Sequence, residues 1–349
     1  MKIVAALTVS AALFAATALR AQQQPTPVTN APGIPGWAYP VAPGVPAPKD
    51  DGTVFHVPNS TIGMTRTQAT NPADVPDWHP DDHPPMPDVV RKGARNVRAC
   101  GYCHYPNGLG RPENASVAGL SKEYIIQQVH DFKAGLRKSS EPGVRPPVIM
   151  ADTAKAISDQ DLETAAEYFA SMKLKPWVRV VEAKMVPKTE IVGGMFVTRE
   201  EKEMEPIGNR IIEVPVDRKL TEELRDAGSS FIAYVPRGSI AKGEAFVTTG
   251  GAHVVSSKVV AGKTAACATC HGSDLMGYAD MPPLAGRSPS YIVRQLLDMQ
   301  KGNRNGPNVK LMKPVVANLT IDDMIAIAAY VSSRSPILSA APAATTAQR

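Results

Sequence analysis

The stretch "RACGYCHYPNGLG", Arg98 to Gly110, sets two cysteines two residues apart with a histidine directly after the second. The same grouping returns in "AACATCHGSDLMG", Ala265 to Gly277. Cys100, Cys103, Cys267 and Cys270 are all the cysteines in the chain, 4 of 349 residues. Three chemistries compete for such a motif. A redox dithiol needs an activated thiolate at a helix start within alternating strands and helices, and no such alternation surrounds Cys100. A zinc ribbon brings its two cysteine pairs within about 15–20 residues of each other, whereas 164 residues separate Cys103 from Cys267. Covalent haem attachment accounts for every part. The two thiols add to the haem vinyl groups, the two-residue gap matches the separation of those groups, and the next residue, His104 or His271, comes to lie under the iron.

Laying the motifs over each other uncovers an internal repeat. His104 lies 15 residues before Gly119 and 20 before Tyr124, and His271 lies 15 before Gly286 and 20 before Tyr291. "SKEYIIQQVHDFKAGLR" (Ser121 to Arg137) then overlays "SPSYIVRQLLDMQKGNR" (Ser288 to Arg304), matching Gln128 with Gln295, Gly135 with Gly302 and Arg137 with Arg304. Repeat one carries five extra residues before Met150, which follows its histidine by 46 residues, while Met312 follows by 41. Beyond these methionines Ser158 with Asp161, and Thr320 with Asp323, announce helix starts. Leu162, Ala165, Ala166 and Phe169, and likewise Met324, Ile327, Ala328 and Val331, then make one apolar face. Met172 and Met324 fall on these helices and read as core. Met150 and Met312 precede the helices at matching places, which predicts a methionine loop in each repeat with its thioether on the iron. Tyr124, Ile125, Phe132, Tyr291, Ile292 and Leu296 are candidate cofactor-pocket walls, although each reads nearly as well as plain core.

The composition suits a chain of about two domains, with 43% hydrophobic and 20% charged residues and only 5% aromatics. A cofactor with a large apolar body would relieve that shortage of aromatic bulk. "MKIVAALTVSAALFAATALRA", Met1 to Ala21, has a single Lys2, an apolar run and small residues before a cut after Ala18 or Ala21, the pattern of a secretory leader. Loss of Lys2 and Arg20 takes 38 basic residues to 36 against 33 acids, so a net charge of +5 falls to +3. That is too mild to imply nucleic acid as a partner. Gln24 to Asp50 holds eight prolines and predicts an extended or disordered lead-in. "WHPDDHPPMPD" (Trp78 to Asp88) reads as a solvated proline-rich loop rather than a metal cluster built on His79 and His83. Lys175 to Val235 is rich in Val and Ile between Pro and Gly, which predicts short strands. "GSIAKGEAFVTTGG", Gly238 to Gly251, predicts a short helix.

Each repeat resembles a class I c-type cytochrome domain, and the pair resembles the tandem two-haem cytochromes of the c4 kind. The resemblance rests on "CGYCH", "CATCHG", "MPPLAGRSPSYIVRQL" and the methionine segment before "TIDDMIAIAAYVSS", over Val89 to Ser171 and Ile240 to Ser335. It implies a mainly α fold of two class I cytochrome c domains in tandem, at 89–174 and 238–336. A leader (1–21), a Pro-rich arm (22–88), a strand-like connection (175–237) and a flexible tail (337–349) complete the expected organisation. It further implies that a proline–leucine pair, Pro283 and Leu284, lies over the proximal histidine with the proline carbonyl accepting from the imidazole. Repeat one departs there, with Ser116 and Val117 at the aligned positions.

The expected cofactors are two covalent haem c groups on Cys100, Cys103, Cys267 and Cys270, with His104, Met150, His271 and Met312 as axial ligands. The expected function is single-electron transfer in the periplasm, or outside the cell, between a dehydrogenase or quinol-oxidising complex and a terminal acceptor such as an oxidase. Membrane association would then be peripheral, through those partners. Two alternatives stay open: a two-haem peroxidase-like enzyme whose first haem lacks its methionine, and a dedicated cytochrome subunit of a dehydrogenase complex.

Overall fold

The computed structural model describes residues 31–42, 44 and 49–337. The expected leader and most of the expected tail lie outside the described residues. Before the first cysteine motif the chain forms a two-stranded hairpin, β1 (Val54–Phe55) with β2 (Met64–Thr65), and two single-turn helices, α1 (Arg66–Ala69) and α2 (Asp88–Arg91).

A first helical unit follows, of α3 (Cys100–His104), α4 (Lys122–Lys133), α5 (Arg145–Ala156) and α6 (Asp159–Ala170). Side-chain oxygens satisfy backbone N–H groups that a helix start leaves free. Ser121 accepts from the Tyr124 N–H at 3.2 Å, and Ser158 accepts from the Asp161 N–H at 3.1 Å. Leu162, Ala165, Ala166 and Phe169 are all buried, so the apolar stripe of α6 faces inward as its spacing requires.

Seven strands come next: β3 (Val178–Ala183), β4 (Met185–Pro187), β5 (Thr189–Val192), β6 (Met195–Thr198), β7 (Met204–Pro206), β8 (Ile212–Pro215) and β9 (Phe231–Pro236). β3 pairs parallel with β9, and β9 pairs antiparallel with β8. β4–β7 and β5–β6 are antiparallel pairs. Phe231, Ala233 and Val235 point to one face of β9 and are buried. Phe231 belongs to the core of the first helical unit and Val235 to that of the second, so one strand spans both.

The second helical unit holds α7 (Ser239–Thr249), the exposed hairpin β10 (His253–Val255) and β11 (Lys258–Val260), and the motif helix α8 (Ala268–His271). It ends with α9 (Pro289–Gln300), the single turn α10 (Lys313–Val316) and α11 (Ile321–Ser333). Ser288 caps α9, and Thr320 with Asp323 forms a reciprocal capping box on α11. α7 crosses α11 so closely that a Cβ on Gly243 would come within 2.0 Å of the Ala326 carbonyl oxygen.

The two units meet through equivalent segments. Lys138 N–H donates to Asn303 O at 2.7 Å, and Asn305 N–H donates to Leu136 O at 2.7 Å. Arg137 reaches across to the Tyr291 hydroxyl at 2.9 Å and to Gln295 at 3.1 Å. Arg304 returns the pattern, to the Tyr124 hydroxyl at 2.7 Å and to Gln128 at 2.9 Å. The repeat in sequence thus becomes a reciprocal exchange of hydrogen bonds in space.

Two expectations for the arm need correction. Ala38 and Tyr39 are fully buried in the second core, not extended into solvent. The Tyr39 hydroxyl donates to Asp298 Oδ1 at 2.7 Å, and Arg294 donates to Ala38 O at 2.8 Å. A proline-rich segment lacks donors but keeps its carbonyls, and a buried arginine uses one. Nor is Trp78 in a solvated loop: it is 1% exposed and its indole N–H donates to Leu224 O at 2.7 Å. His79 meets Asp226 at 2.8 Å and His83 meets Asp77 at 3.1 Å, and among the described residues no cluster could hold a metal ion.

Two stability tests follow from the second unit. Gly243→Ala forces α7 away from α11, and thermal unfolding is expected to show a loss of about 1–3 kcal/mol, the usual cost of overpacking. Asp323 is 2% exposed and bonds Lys242 and Lys263, each at 2.9 Å. Burial would raise its pKa, but these bonds outweigh that and hold the carboxyl well below the usual carboxylate range. A depressed folded pKa gives stability that is present above about pH 4 and fades as the acid is protonated. Asp323→Asn is therefore expected to lower stability by about 1–3 kcal/mol near neutrality, with the gap to the native chain closing below about pH 4.

Candidate functional site

In α3 the three-residue spacing puts Cys100 and Cys103 on one face of a single helical turn, with His104 at its end. α8 repeats this with Cys267, Cys270 and His271. Both turns end in the same backbone conformation, φ 63° and ψ 157° at Tyr105 and φ 83° and ψ 152° at Gly272. Glycine adopts this freely, whereas at Tyr105 burial must hold it. Tyr105 is 3% exposed, with the Arg225 guanidinium 5.6 Å from its ring centroid.

All four cysteines are free. Burial pushes the Cys100 thiol up to about 12 and the Cys267 thiol up to about 11, and raises that of Cys103 as well. Cys100, Cys103 and Cys267 thus lack the lowered thiol pKa that a redox dithiol uses. The two cysteine pairs stand on separate motif helices, and among the described residues no group of three or more His, Cys, Asp or Glu could hold a metal ion.

The two histidines are held identically. His104 Nδ1 lies 2.8 Å from Ala115 O and His271 Nδ1 lies 2.9 Å from Pro282 O, both acceptors being 11 residues further on. A proton fixed on Nδ1 leaves the Nε2 lone pair free for a metal. Burial lowers both pKa values, so the neutral ligand form prevails. Phe169 also packs edge-on against His104, with ring centroids 6.0 Å apart.

The expectation for Pro283 and Leu284 shifts by one residue. Pro282 supplies the carbonyl to His271, while Pro283 O accepts from Arg287 Nε at 2.6 Å. Because the acceptor is main chain, Ala115 serves His104 as well as Pro282 serves His271. Ser116 and Val117 therefore leave the first imidazole as firmly oriented as the second.

The methionines are less alike. Met312 links a 3-10 turn (Pro307–Leu311) to α10 and packs, partly buried, on the cluster that also takes Cys267 and Leu284. Met150 is not in a loop: α5 carries it within a 12-residue helix started by Pro146 and Pro147, which fit a first helical turn. Among the described residues the first core takes in Met172 and Met195 with Met86 at its edge, and Met150 is outside it. Met172 and Met324 are core residues, as their helical spacing suggests.

Of the candidate pocket walls, Phe132, Ile292 and Leu296 are buried and Ile125 packs on the first core. Tyr124 and Tyr291 turn their hydroxyls to the opposite unit. Sequence reasoning missed Arg287, whose signal was a lone arginine in the otherwise small and apolar "PPLAGRSP". It missed Ala115 and Pro282 too, since a backbone acceptor leaves no residue signature. The parts present fit a haem at each motif: paired free thiols on one face, an imidazole with Nε2 free, and an apolar cluster alongside. Arg304 Nε, buried without a partner, adds a donor for an anionic group.

The Cytochrome c family model matches residues 258–335. Cytochrome c4 of Pseudomonas aeruginosa is 25% identical over 243 residues, covering 68% of this chain and 85% of that protein. Cytochrome c-554(548) of Halomonas halodenitrificans is 38% identical over 73 residues, 21% of this chain and 88% of its own length. The thiosulfate dehydrogenase electron acceptor of Stutzerimonas stutzeri is 36% identical over 105 residues, 30% of this chain and 44% of that protein. Motif geometry and relatives agree, and the chain belongs to the class I c-type cytochromes as a homologue of the two-haem cytochromes c4.

Proposed function

We propose that the protein is an exported two-haem electron carrier built from two cytochrome c domains, 89–174 and 238–336, with 175–237 bracing both. Cys100 and Cys103 hold one haem and Cys267 and Cys270 the other. His104 and His271 would each supply an imidazole ligand, and Met150 and Met312 a thioether, to the two irons. The observation that carries this reading is the doubling of one geometry, a Cys-x-x-Cys-His turn whose histidine Nδ1 meets the carbonyl 11 residues on.

When bound, haem supplies a one-electron change at its iron. The chain's part is to fix the ligands so that this change needs little rearrangement. The Nδ1 hydrogen bonds set the imidazole planes, and a thioether from Met150 or Met312 would favour the ferrous state. With a histidine and a methionine both committed to the iron, such a centre would exchange electrons with partner proteins rather than take a small substrate. A dehydrogenase is the partner class favoured by the relative named as a thiosulfate dehydrogenase electron acceptor. A periplasmic location follows from the leader-like Met1 to Ala21. Among the described residues no helix is long and apolar enough to cross a membrane.

The peroxidase-like alternative draws on one observation, the helical setting of Met150 outside the first core. The sulfur-to-iron charge-transfer band of the oxidised protein separates the readings. Two bands' worth of absorbance per chain, falling by half in both Met150→Ala and Met312→Ala, is expected for the carrier. One band's worth together with a high-spin haem would assign an open first site.

Attachment is tested by mass. Produced with haem-attachment machinery, the chain should gain the mass of two haems. The double variant Cys100→Ser with Cys103→Ser should gain one and keep the spectrum of the second site.

A further inference from the structure

Arg287 is 4% exposed and makes no ion pair among the described residues. Its guanidinium bonds three backbone carbonyls instead: Nε to Pro283 O at 2.6 Å, Nη1 to Ser116 O at 2.6 Å and Nη2 to Ala118 O at 3.2 Å. Two of these have equivalent places in the repeats. Ser116 follows Ala115, whose carbonyl holds His104, and Pro283 follows Pro282, whose carbonyl holds His271. One side chain thus grips, in each unit, the peptide next to the one that orients the proximal imidazole. The repeat supplies no second copy, because Gly119 aligns with Gly286 and the position after it is Leu120, a member of the first core.

On the reading that His104 and His271 are haem ligands, we infer that Arg287 is a shared positioning and tuning residue: it locks the two proximal-histidine loops together and raises the potentials of both centres. Each iron gains a positive charge on oxidation. A cation held in a low-dielectric interior close to both makes that gain more costly, so both ferrous states are favoured. Burial pushes the Arg287 pKa down to about 10, which still leaves it charged at neutral pH. The three carbonyls satisfy its donors without cancelling its charge, as a carboxylate would.

The test is spectroelectrochemical titration of native protein, Arg287→Gln and Arg287→Lys, each first confirmed by mass to carry two haems. Both potentials are expected to fall in Arg287→Gln. Both are expected to fall by less in Arg287→Lys, which keeps the charge but cannot span three carbonyls. Potentials unchanged in whichever variant folds, a fall in one centre alone, or equal falls in the two variants would overturn the inference, the last by assigning a purely structural role. A native protein without covalent haem would overturn the haem reading itself, at the mass measurement and before any potential is read.

Discussion

In both units one hydrogen bond holds an imidazole by its Nδ1, leaving Nε2 to face a single direction. A histidine at the end of a single helical turn has no fixed orientation of its own. The chain provides one by looping back so that a carbonyl 11 residues downstream meets Nδ1, in both units. This bond fixes the tautomer and ties the motif helix to the loop that leads into α4 or α9, while burial keeps the ring neutral. The cores then form behind it, with Phe169 against His104 in the first unit and Leu275, Leu284 and Val293 around α8 in the second.

Two such units could sit side by side without influencing each other, but here they share both apolar and polar structure. β9 contributes Phe231 to one core and Val235 to the other. Arg137 and Arg304 exchange bonds with the opposite tyrosine and glutamine, and Arg287 joins the two histidine loops. Residues 37–39 lie against the second unit, where Arg294 bridges the Ala38 and Pro112 carbonyls and so ties this segment to the first unit. Arg287, which bonds only backbone carbonyls, brings a positive charge between the units with no carboxylate paired to it. That charge can act on whatever centre each unit carries.

Much of this was legible in the sequence, and the reasons are physical. The cysteine–histidine spacing is dictated by bond chemistry and so survives as text. Ser158, Thr320 and the apolar stripes of α6 and α11 are local helix rules, and the structure follows them. The Val- and Ile-rich stretch from Lys175 to Val235, bounded by Pro and Gly, is likewise local and reads as strands. What stayed hidden depends on contacts remote in sequence. The arm is proline-rich and reads as solvated, yet Tyr39 finds Asp298 and Trp78 finds Leu224. Met150 reads as a loop residue because it precedes the terminal helix at the place that matches Met312, but the five added residues and the Pro146–Pro147 start allow a full helix there. The histidine acceptors were displaced by one residue because a backbone carbonyl carries no side-chain signature.

The most direct test of the account is a crystallographic anomalous-difference map of the purified holoprotein, collected at the iron absorption edge. The account predicts two iron peaks per chain, one at bonding distance from His104 Nε2 and one from His271 Nε2, with Ala115 and Pro282 carbonyls still on the Nδ1 atoms. A single metal peak shared by the two cysteine pairs, or an iron bound through Nδ1, would contradict it.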